Sequence, residues 1–143
     1  MNRFVLDASV VLKWALPPAN KSYVAESLHL LRQYTKGEID FLVPDIFWAE
    51  IGNVLWKGPR HRRWSRSISE QIAAEMREQN FPTVSSLTLM TDALKIALTY
   101  DRSVYDCLYL ALAIQSRSQM ITADERLANA VAAYLPVKWL GAL

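Results

Sequence analysis

Short apolar runs alternate along this chain with longer segments in which apolar residues recur at helical spacing. A short apolar run between turn residues is typical of a buried strand. Apolar residues that recur about every three or four residues predict a helix with one buried face. The predicted strands are Arg3–Leu6, Phe41–Val43, Thr83–Ser86, Met120–Thr122 and Val137–Leu140. The predicted helices are Ser9–Trp14, Lys21–Lys36, Pro44–Lys57, Ser67–Gln79, Leu87–Tyr100, Ser103–Ile114 and Glu125–Ala133. Strands that alternate with helices favour an α/β fold in which helices cover both faces of a parallel sheet.

Turn and cap residues predict where several of these helices begin and end. Ser9 is expected to cap the first helix and Pro17-Pro18 to end it. Ser67, with Glu70 three residues later, predicts a capping box at the start of another helix. Gly58-Pro59 is expected to break the helix that precedes it.

The composition predicts one folded domain that spans residues 1–143. Because 52% of the residues are hydrophobic and 21% are charged, a disordered chain is excluded. The single cysteine, Cys107, excludes a disulfide framework, and the lack of paired Cys and His spacing excludes a zinc finger. Asp7 and Lys13 interrupt an N-terminal apolar run that otherwise resembles a signal peptide. We therefore expect a cytoplasmic protein with no membrane segment.

The net charge of +2 conceals a basic segment at residues 57–66. This segment carries five bases and no acid, whereas the rest of the chain has a net charge of −3. Such a patch suits an anionic partner, although a solvated surface loop explains the charge equally well. The candidate RNA contacts in it are Arg60, Arg62, Arg63 and Arg66. Trp64 lies between two of these arginines and is able either to stack on a base or, more commonly, to pack on a neighbouring helix.

Four acidic residues stand in apolar surroundings: Asp7, Glu50, Asp106 and Asp124. Asp7 and Asp124 follow predicted strands, and parallel sheets place their sites beyond the carboxyl ends of the strands. Three of the four also have a purely structural interpretation, as a strand-end turn residue (Asp7), a capping-box partner of Ser103 (Asp106) and a helix N-cap (Asp124). Glu50 resists such an interpretation, because it lies in mid-helix with no lysine or arginine one turn away.

A hard divalent cation would offset the charge of such carboxylates if they converge. Mg²⁺ prefers oxygen ligands and is held by a few carboxylates together with water. A metal ion held in this way activates water and stabilises charge on a phosphoryl group. The chemistry implied is hydrolysis of a phosphodiester bond without a covalent intermediate.

Several segments together resemble the PIN-domain nucleases, and in particular the VapC-type ribonuclease toxins of toxin–antitoxin modules. These segments read DAS after the first strand, then PDIFWAEIGNVLWK, YDCLYLALA and ITADERL. The resemblance runs from Arg3 to about Trp139, and its specificity comes from the order and spacing of the acids, which lie 43, 56 and 18 residues apart.

The resemblance implies an α/β/α sandwich around a short parallel β-sheet, with the four acids lining one pocket. Asp7 and Asp106 would be the principal ligands of Mg²⁺ or Mn²⁺, while Glu50 and Asp124 would complete the pocket and orient the attacking water. The hydrogen-bonding residues beside the site would be Ser9, Asn53 and Thr122. The resemblance further implies an RNA substrate, a homodimer, and a protein antitoxin that blocks the site.

Other functions remain open beside a metal-dependent endoribonuclease. A non-catalytic nucleic-acid-binding module would be expected to lose at least one of the four acids, and all four are present. Phosphotransfer on an aspartate generally needs adjacent acids at the first strand end, where this chain has Ala8 and Ser9 after Asp7. A DNA-directed nuclease is harder to separate, because a two-metal site does not by itself read the 2′-hydroxyl.

Overall fold

Five parallel strands form the central layer of the computed structural model, which describes residues 2–17 and 22–143. The strands are β1 (Asn2–Leu6), β2 (Ile39–Pro44), β3 (Thr83–Val84), β4 (Gln119–Thr122) and β5 (Val137–Trp139). Their order across the sheet is β3-β2-β1-β4-β5, and every neighbouring pair is parallel. The strands β2 and β3 therefore lie on one side of β1, and β4 and β5 lie on the other side. Ligand sites in such sheets lie where the strand order reverses, beyond the carboxyl ends of the strands.

The α-helices of the described residues connect these strands and complete the α/β/α architecture that the sequence predicts. They are α1 (Ala8–Ala15), α2 (Val24–Thr35), α3 (Ile46–Arg60), α4 (Arg66–Gln79), α5 (Ser86–Tyr100), α6 (Val104–Gln115) and α7 (Glu125–Val131). A short 3-10 helix, Leu140–Ala142, follows β5. The predicted strands and helices are confirmed in type and order. Pro18 and Lys21, at which one helix was predicted to stop and the next to start, lie outside the described residues.

The core lies between the sheet and α6, which packs against β1, β2 and β4. Every residue from Cys107 to Ala113 is buried, because this helix has apolar residues on nearly all sides. The strand ends are buried as well, with Val5, Leu6 and Ile121 fully covered. No helix in the described ranges has the length and apolar character that crossing a bilayer requires.

The predicted helix break at Gly58-Pro59 is wrong, because α3 continues through both residues to Arg60. Proline has no N–H to donate to the carbonyl four residues earlier, which here belongs to Leu55. Ser69 on α4 replaces the missing donor, since its hydroxyl donates to the Leu55 carbonyl oxygen at 2.6 Å.

Gly58 serves packing between helices rather than helix termination. A Cβ atom at this position would lie 1.9 Å from the ring of Trp64, so glycine makes room for the indole. The indole N–H donates to the Ser69 hydroxyl at 2.8 Å. Trp64 therefore fixes the α3–α4 hairpin, which is the structural role that its sequence context left open.

Two predicted helix caps are also wrong. Ser9 does not cap α1, whose N-cap residue is Asp7 without a side-chain cap bond, because the Ser9 hydroxyl bonds elsewhere. Ser67 lies inside α4, and the cap is Ser65, whose hydroxyl accepts from the amide of Ile68 at 3.3 Å. The caps predicted for α6 and α7 are confirmed, because Ser103 and Asp124 each accept a hydrogen bond from a first-turn amide.

Candidate active site

Asp7 lies where β1 meets α1 and is held on both sides by hydroxyl groups. One carboxylate oxygen, Oδ2, accepts from Ser9 Oγ at 2.8 Å and from Thr122 Oγ1 at 2.7 Å. Its backbone N–H donates to the carbonyl oxygen of Ile121 on β4 at 3.1 Å. Burial raises the pKa of Asp7, the two hydroxyl hydrogen bonds work in the opposite direction, and the charge of Asp106 raises it further.

Ser9 and Thr122 also bind the chain that follows β4. The Ser9 hydroxyl accepts from the amide of Ala123 at 3.0 Å, and the Thr122 hydroxyl accepts from the amide of Asp124 at 3.0 Å. Thr122 is fully buried, so its hydroxyl has a fixed position. The two side chains therefore couple the carboxyl ends of β1 and β4, and both hydroxyls donate to the carboxylate of Asp7.

Glu50 projects from the middle of α3 and is partly buried. Its Oε1 accepts from the phenol of Tyr109 on α6 at 2.6 Å. Burial raises the pKa of Glu50, the Tyr109 hydrogen bond lowers it, and the charges of Asp7 and Asp106 raise it again. Glu50 thus lies in the electric field of acids from two other elements.

Asp106 lies in the first turn of α6, where its amide donates to the Ser103 hydroxyl at 3.2 Å. Burial raises the pKa of its carboxyl group, the nearby Arg102 lowers it, and Asp124 raises it. Asp124 is exposed at the start of α7 and accepts from the amide of Leu127 at 3.1 Å. The capping roles of Ser103 and Asp124 therefore coexist with an electrostatic connection between the two aspartates.

The four predicted acids lie close enough for their charges to interact, although they belong to distant parts of the chain. Arg102 acts on Asp106, but none of the four forms an ion pair within the described ranges, where the one ion pair joins Arg66 and Glu70. Nor do the His, Cys, Asp and Glu side chains of residues 2–17 and 22–143 form a closed group of three or more around one cation position. The donor set is nevertheless carboxylate and hydroxyl oxygen, which suits a hard dication that retains several of its waters. The residues present thus fit Mg²⁺ or Mn²⁺.

Asn53 is the predicted site residue that the structure leaves apart from this network. It is exposed on α3 one turn beyond Glu50, and in the described part of the chain it makes no hydrogen bond to the four acids. Of the predicted RNA contacts, three are exposed without an acidic partner among the described residues: Arg60, Arg62 and Arg63. Arg66 is committed to Glu70 on the next turn of α4.

Two residues of the site were missed by sequence reasoning, namely Tyr109 and Arg102. Tyr109 follows Asp106 by three residues, so both project from nearly the same side of α6. Arg102 precedes Asp106 by four residues in the turn before the helix. The signal for Tyr109 was present in this spacing, but the run of apolar neighbours made the residue resemble ordinary core. Cys107 is buried, and burial raises its pKa to about 11, so its thiol stays protonated and is not a nucleophile.

Comparison with known proteins identifies a family model and several similar structures. The model described as PIN domain matches residues 4–132. No curated protein gives a significant match. The solved toxin–antitoxin complex from Klebsiella pneumoniae is 15% identical with a TM-score of 0.63, over 94% of each chain. PAE2754 from Pyrobaculum aerophilum is 18% identical with a TM-score of 0.71, over 99% of this chain and 85% of that one.

A third similar structure is VapBC2 from Rickettsia felis bound to a DNA fragment from their promoter. It is 11% identical with a TM-score of 0.63, over 96% of this chain and 98% of that one. At such identities these structures establish the fold alone. The residues matched by the PIN domain model include all four acids.

Proposed function

This chain belongs to the PIN domain family, and on that premise we propose that it is a divalent-metal-dependent endoribonuclease, the toxin of a toxin–antitoxin pair. The observation that carries the proposal is the electrostatic interaction of Asp7 at the end of β1 with Glu50 on α3 and Asp106 on α6, together with that of Asp124 on Asp106. Burial, and to a lesser extent mutual repulsion, raises the pKa of Asp7, Glu50 and Asp106, which is a costly arrangement for a fold to keep without a cation.

Asp7 and Asp106 are the proposed principal ligands, with Glu50 and Asp124 completing the metal site. A bound Mg²⁺ or Mn²⁺ would supply an activated water and stabilise the charge that develops on the phosphoryl group. Ser9 and Thr122 hold the Asp7 carboxylate in one orientation, and Tyr109 does the same for Glu50. We assign to Glu50 the orientation of the attacking water.

The basic segment 57–66 supports a polyanionic substrate. Its exposed arginines have no acidic partner among the described residues, apart from Arg66. Phosphate contacts of this kind provide affinity without sequence preference. RNA is the proposed substrate, and cleavage confined to DNA, or binding without cleavage, would favour the alternative of a DNA-directed or non-catalytic module.

A protein antitoxin is the proposed partner, because the similar structure from Klebsiella pneumoniae is a toxin–antitoxin complex. We also propose a homodimer. On α3, Phe47, Ile51 and Leu55 are buried inside the chain, and Trp56 is exposed. An exposed apolar stripe lies on α5, with side chains between 46% and 80% exposed: Leu87, Met90, Leu94 and Leu98.

The test is incubation of the purified protein with total RNA, with Mg²⁺ and with a chelator, followed by mapping of the cut ends. We expect cleavage that the chelator stops. Asp106→Asn should reduce the rate on the order of 100-fold or more, because several kcal/mol of charge stabilisation depend on the metal ligands.

Asp101→Asn is the matched control for this substitution. Asp101 is exposed at the end of α5 with φ of 54°, a left-handed conformation that asparagine also tolerates. This variant should cleave at the parental rate. Cleavage that is insensitive to the chelator, or parental activity in Asp106→Asn, would contradict the assigned site.

A further inference from the structure

We propose that one exposed face of α3 is the track along which single-stranded RNA leaves the metal site, and that Trp56 is a platform on which one of its bases stacks. This inference rests on the proposed ribonuclease function and adds a substrate subsite to it.

The track begins at the candidate site and becomes basic along the helix. Glu50, Asn53, Lys57 and Arg60 are spaced so that they follow one another along nearly one side of α3. Asn53, Lys57 and Arg60 are exposed. At 1.5 Å of rise per residue, Glu50 and Arg60 are about 15 Å apart along the helix axis, which is long enough for a few nucleotides. The acids repel phosphates, so a strand cut beside them needs such a basic surface close by.

Trp56 lies beside this track and is exposed over 56% of its surface. The guanidinium of Arg60 lies 5.0 Å from the centroid of its ring. An exposed aromatic ring next to arginine is the combination with which single-strand-binding surfaces stack bases and neutralise phosphates. Beside the ring lies an open depression of about 540 Å³, whose lining includes the apolar Leu55 and Pro59, Arg60, and the ion pair between Arg66 and Glu70. It is large enough for a nucleobase, and the charge of Glu70 is offset by Arg66.

Trp56, rather than Trp64, is therefore the residue that we assign to stacking on a base. The Trp64 ring is packed against Gly58, and its N–H is bonded to Ser69, so it is not available to a base. A peptide would also fit an apolar depression with basic residues at its edge. RNA is favoured because Lys57 and Arg60, which lie on the same side of α3 as Glu50, are exposed and have no acidic partner among the described residues.

The experiment measures RNA binding by the full chain carrying Asp106→Asn, so that the RNA stays intact. The probe is a fluorescein-labelled single-stranded RNA of mixed sequence and about a dozen nucleotides, followed by anisotropy at several salt concentrations. Adding Trp56→Ala should raise Kd by roughly 5- to 100-fold without changing the salt dependence, because stacking carries no charge. Trp56→Phe should restore most of the affinity. Arg60→Ala should reduce the slope of log K against log salt by about 0.7, the value for one phosphate contact on a single strand.

Tyr134→Ala, which removes an even more exposed aromatic side chain outside α3, is the control and should leave Kd unchanged. An unchanged Kd for RNA in Trp56→Ala would overturn the subsite. The subsite would also be overturned if Trp56→Ala weakened the binding of an acidic amphipathic peptide while its affinity for RNA stayed at the parental level.

Cleavage assays separate failure of the subsite from failure of the function. If the chain without substitutions cleaves RNA and Trp56→Ala cleaves it with the same KM, only the subsite is overturned. A chain without substitutions that neither binds nor cleaves RNA overturns the proposed function and the track together.

Discussion

Asp7 shows how single residues hold this site together. Its carboxylate accepts hydrogen bonds from a hydroxyl two residues away and from another that is 115 residues away in the sequence. These bonds lower the energy of the charged form, while burial and Asp106 raise it. Because the net effect is a raised pKa, ionised Asp7 costs the metal-free fold some stability, which a bound cation would restore.

This balance predicts an unusual pH dependence for the metal-free protein. In unfolded chains, Asp and Glu have pKa values of about 4. In the folded state, the pKa values of Asp7, Glu50 and Asp106 are raised above these unfolded values. Between the two values the folded state binds more protons, so the free energy of unfolding falls as pH rises. With a chelator present, Tm should therefore increase as the pH is lowered from neutrality toward about pH 4, where carboxyl groups titrate in the unfolded chain. Thermal denaturation monitored by circular dichroism measures this slope.

Asp7→Asn should flatten that slope, because one of the contributing groups no longer titrates, whereas Asp101→Asn should leave it unchanged. Added Mg²⁺ should oppose the trend, since the cation requires ionised carboxylates. Identical slopes for the parental chain and Asp7→Asn would mean that this carboxyl group does not titrate as its surroundings indicate.

The α3–α4 hairpin illustrates how neighbouring elements replace what local sequence lacks. Pro59 removes the donor for the Leu55 carbonyl, and Ser69 supplies one from α4. The same hydroxyl accepts from the Trp64 indole, whose ring fits only over Gly58. These contacts therefore allow α3 to continue as one helix from Glu50 to its basic end at Arg60.

Ser69→Ala should lower the free energy of unfolding by about 1–3 kcal/mol, because it leaves a carbonyl and an indole N–H without their partner. Adding Pro59→Ala should recover part of this loss, since alanine returns the N–H that the Leu55 carbonyl lacks. Urea denaturation of the single and double variants measures both effects.

The control for this cycle is Ser67→Ala, which removes a serine of the same helix that makes no cap. It should change stability by less than about 0.5 kcal/mol. A double variant less stable than Ser69→Ala would contradict the role assigned to the missing proline donor.

At the scale of the whole molecule, the acids and the apolar stripe belong to different elements. The acids lie at the end of β1, on α3, in the first turn of α6 and at the start of α7, whereas the stripe lies on α5. Leu87 and Leu98, at opposite ends of that helix, are the most exposed leucines in the described part of the chain. Water-exposed apolar area of this extent on one helix is typical of an interface. A second copy is the proposed occupant of this stripe.

Leu94→Glu combined with Leu98→Glu should convert the protein to a monomer of 16.3 kDa, because charges would have to be buried in the interface. Sedimentation equilibrium measures the mass, and the chain without substitutions should sediment as two copies. Tyr134→Glu introduces one negative charge at an exposed aromatic side chain outside α5 and should leave the dimer intact. A parental chain that is monomeric at all concentrations would refute the dimer.

The sequence by itself determined the α/β alternation, the deep burial of α6 and the four acids worth following. These properties are local, because the spacing of apolar residues sets the element type and a charge in an apolar run is visible without a fold. Tertiary structure alone decided that Tyr109 meets Glu50, that α3 continues through Pro59, and that Trp56 rather than Trp64 faces solvent. Each of these depends on atoms from an element distant in the chain, and a hydrogen bond or a packed ring has no counterpart in local spacing. The physical reason is that partners across a fold are chosen by position in space, which the local sequence pattern does not contain.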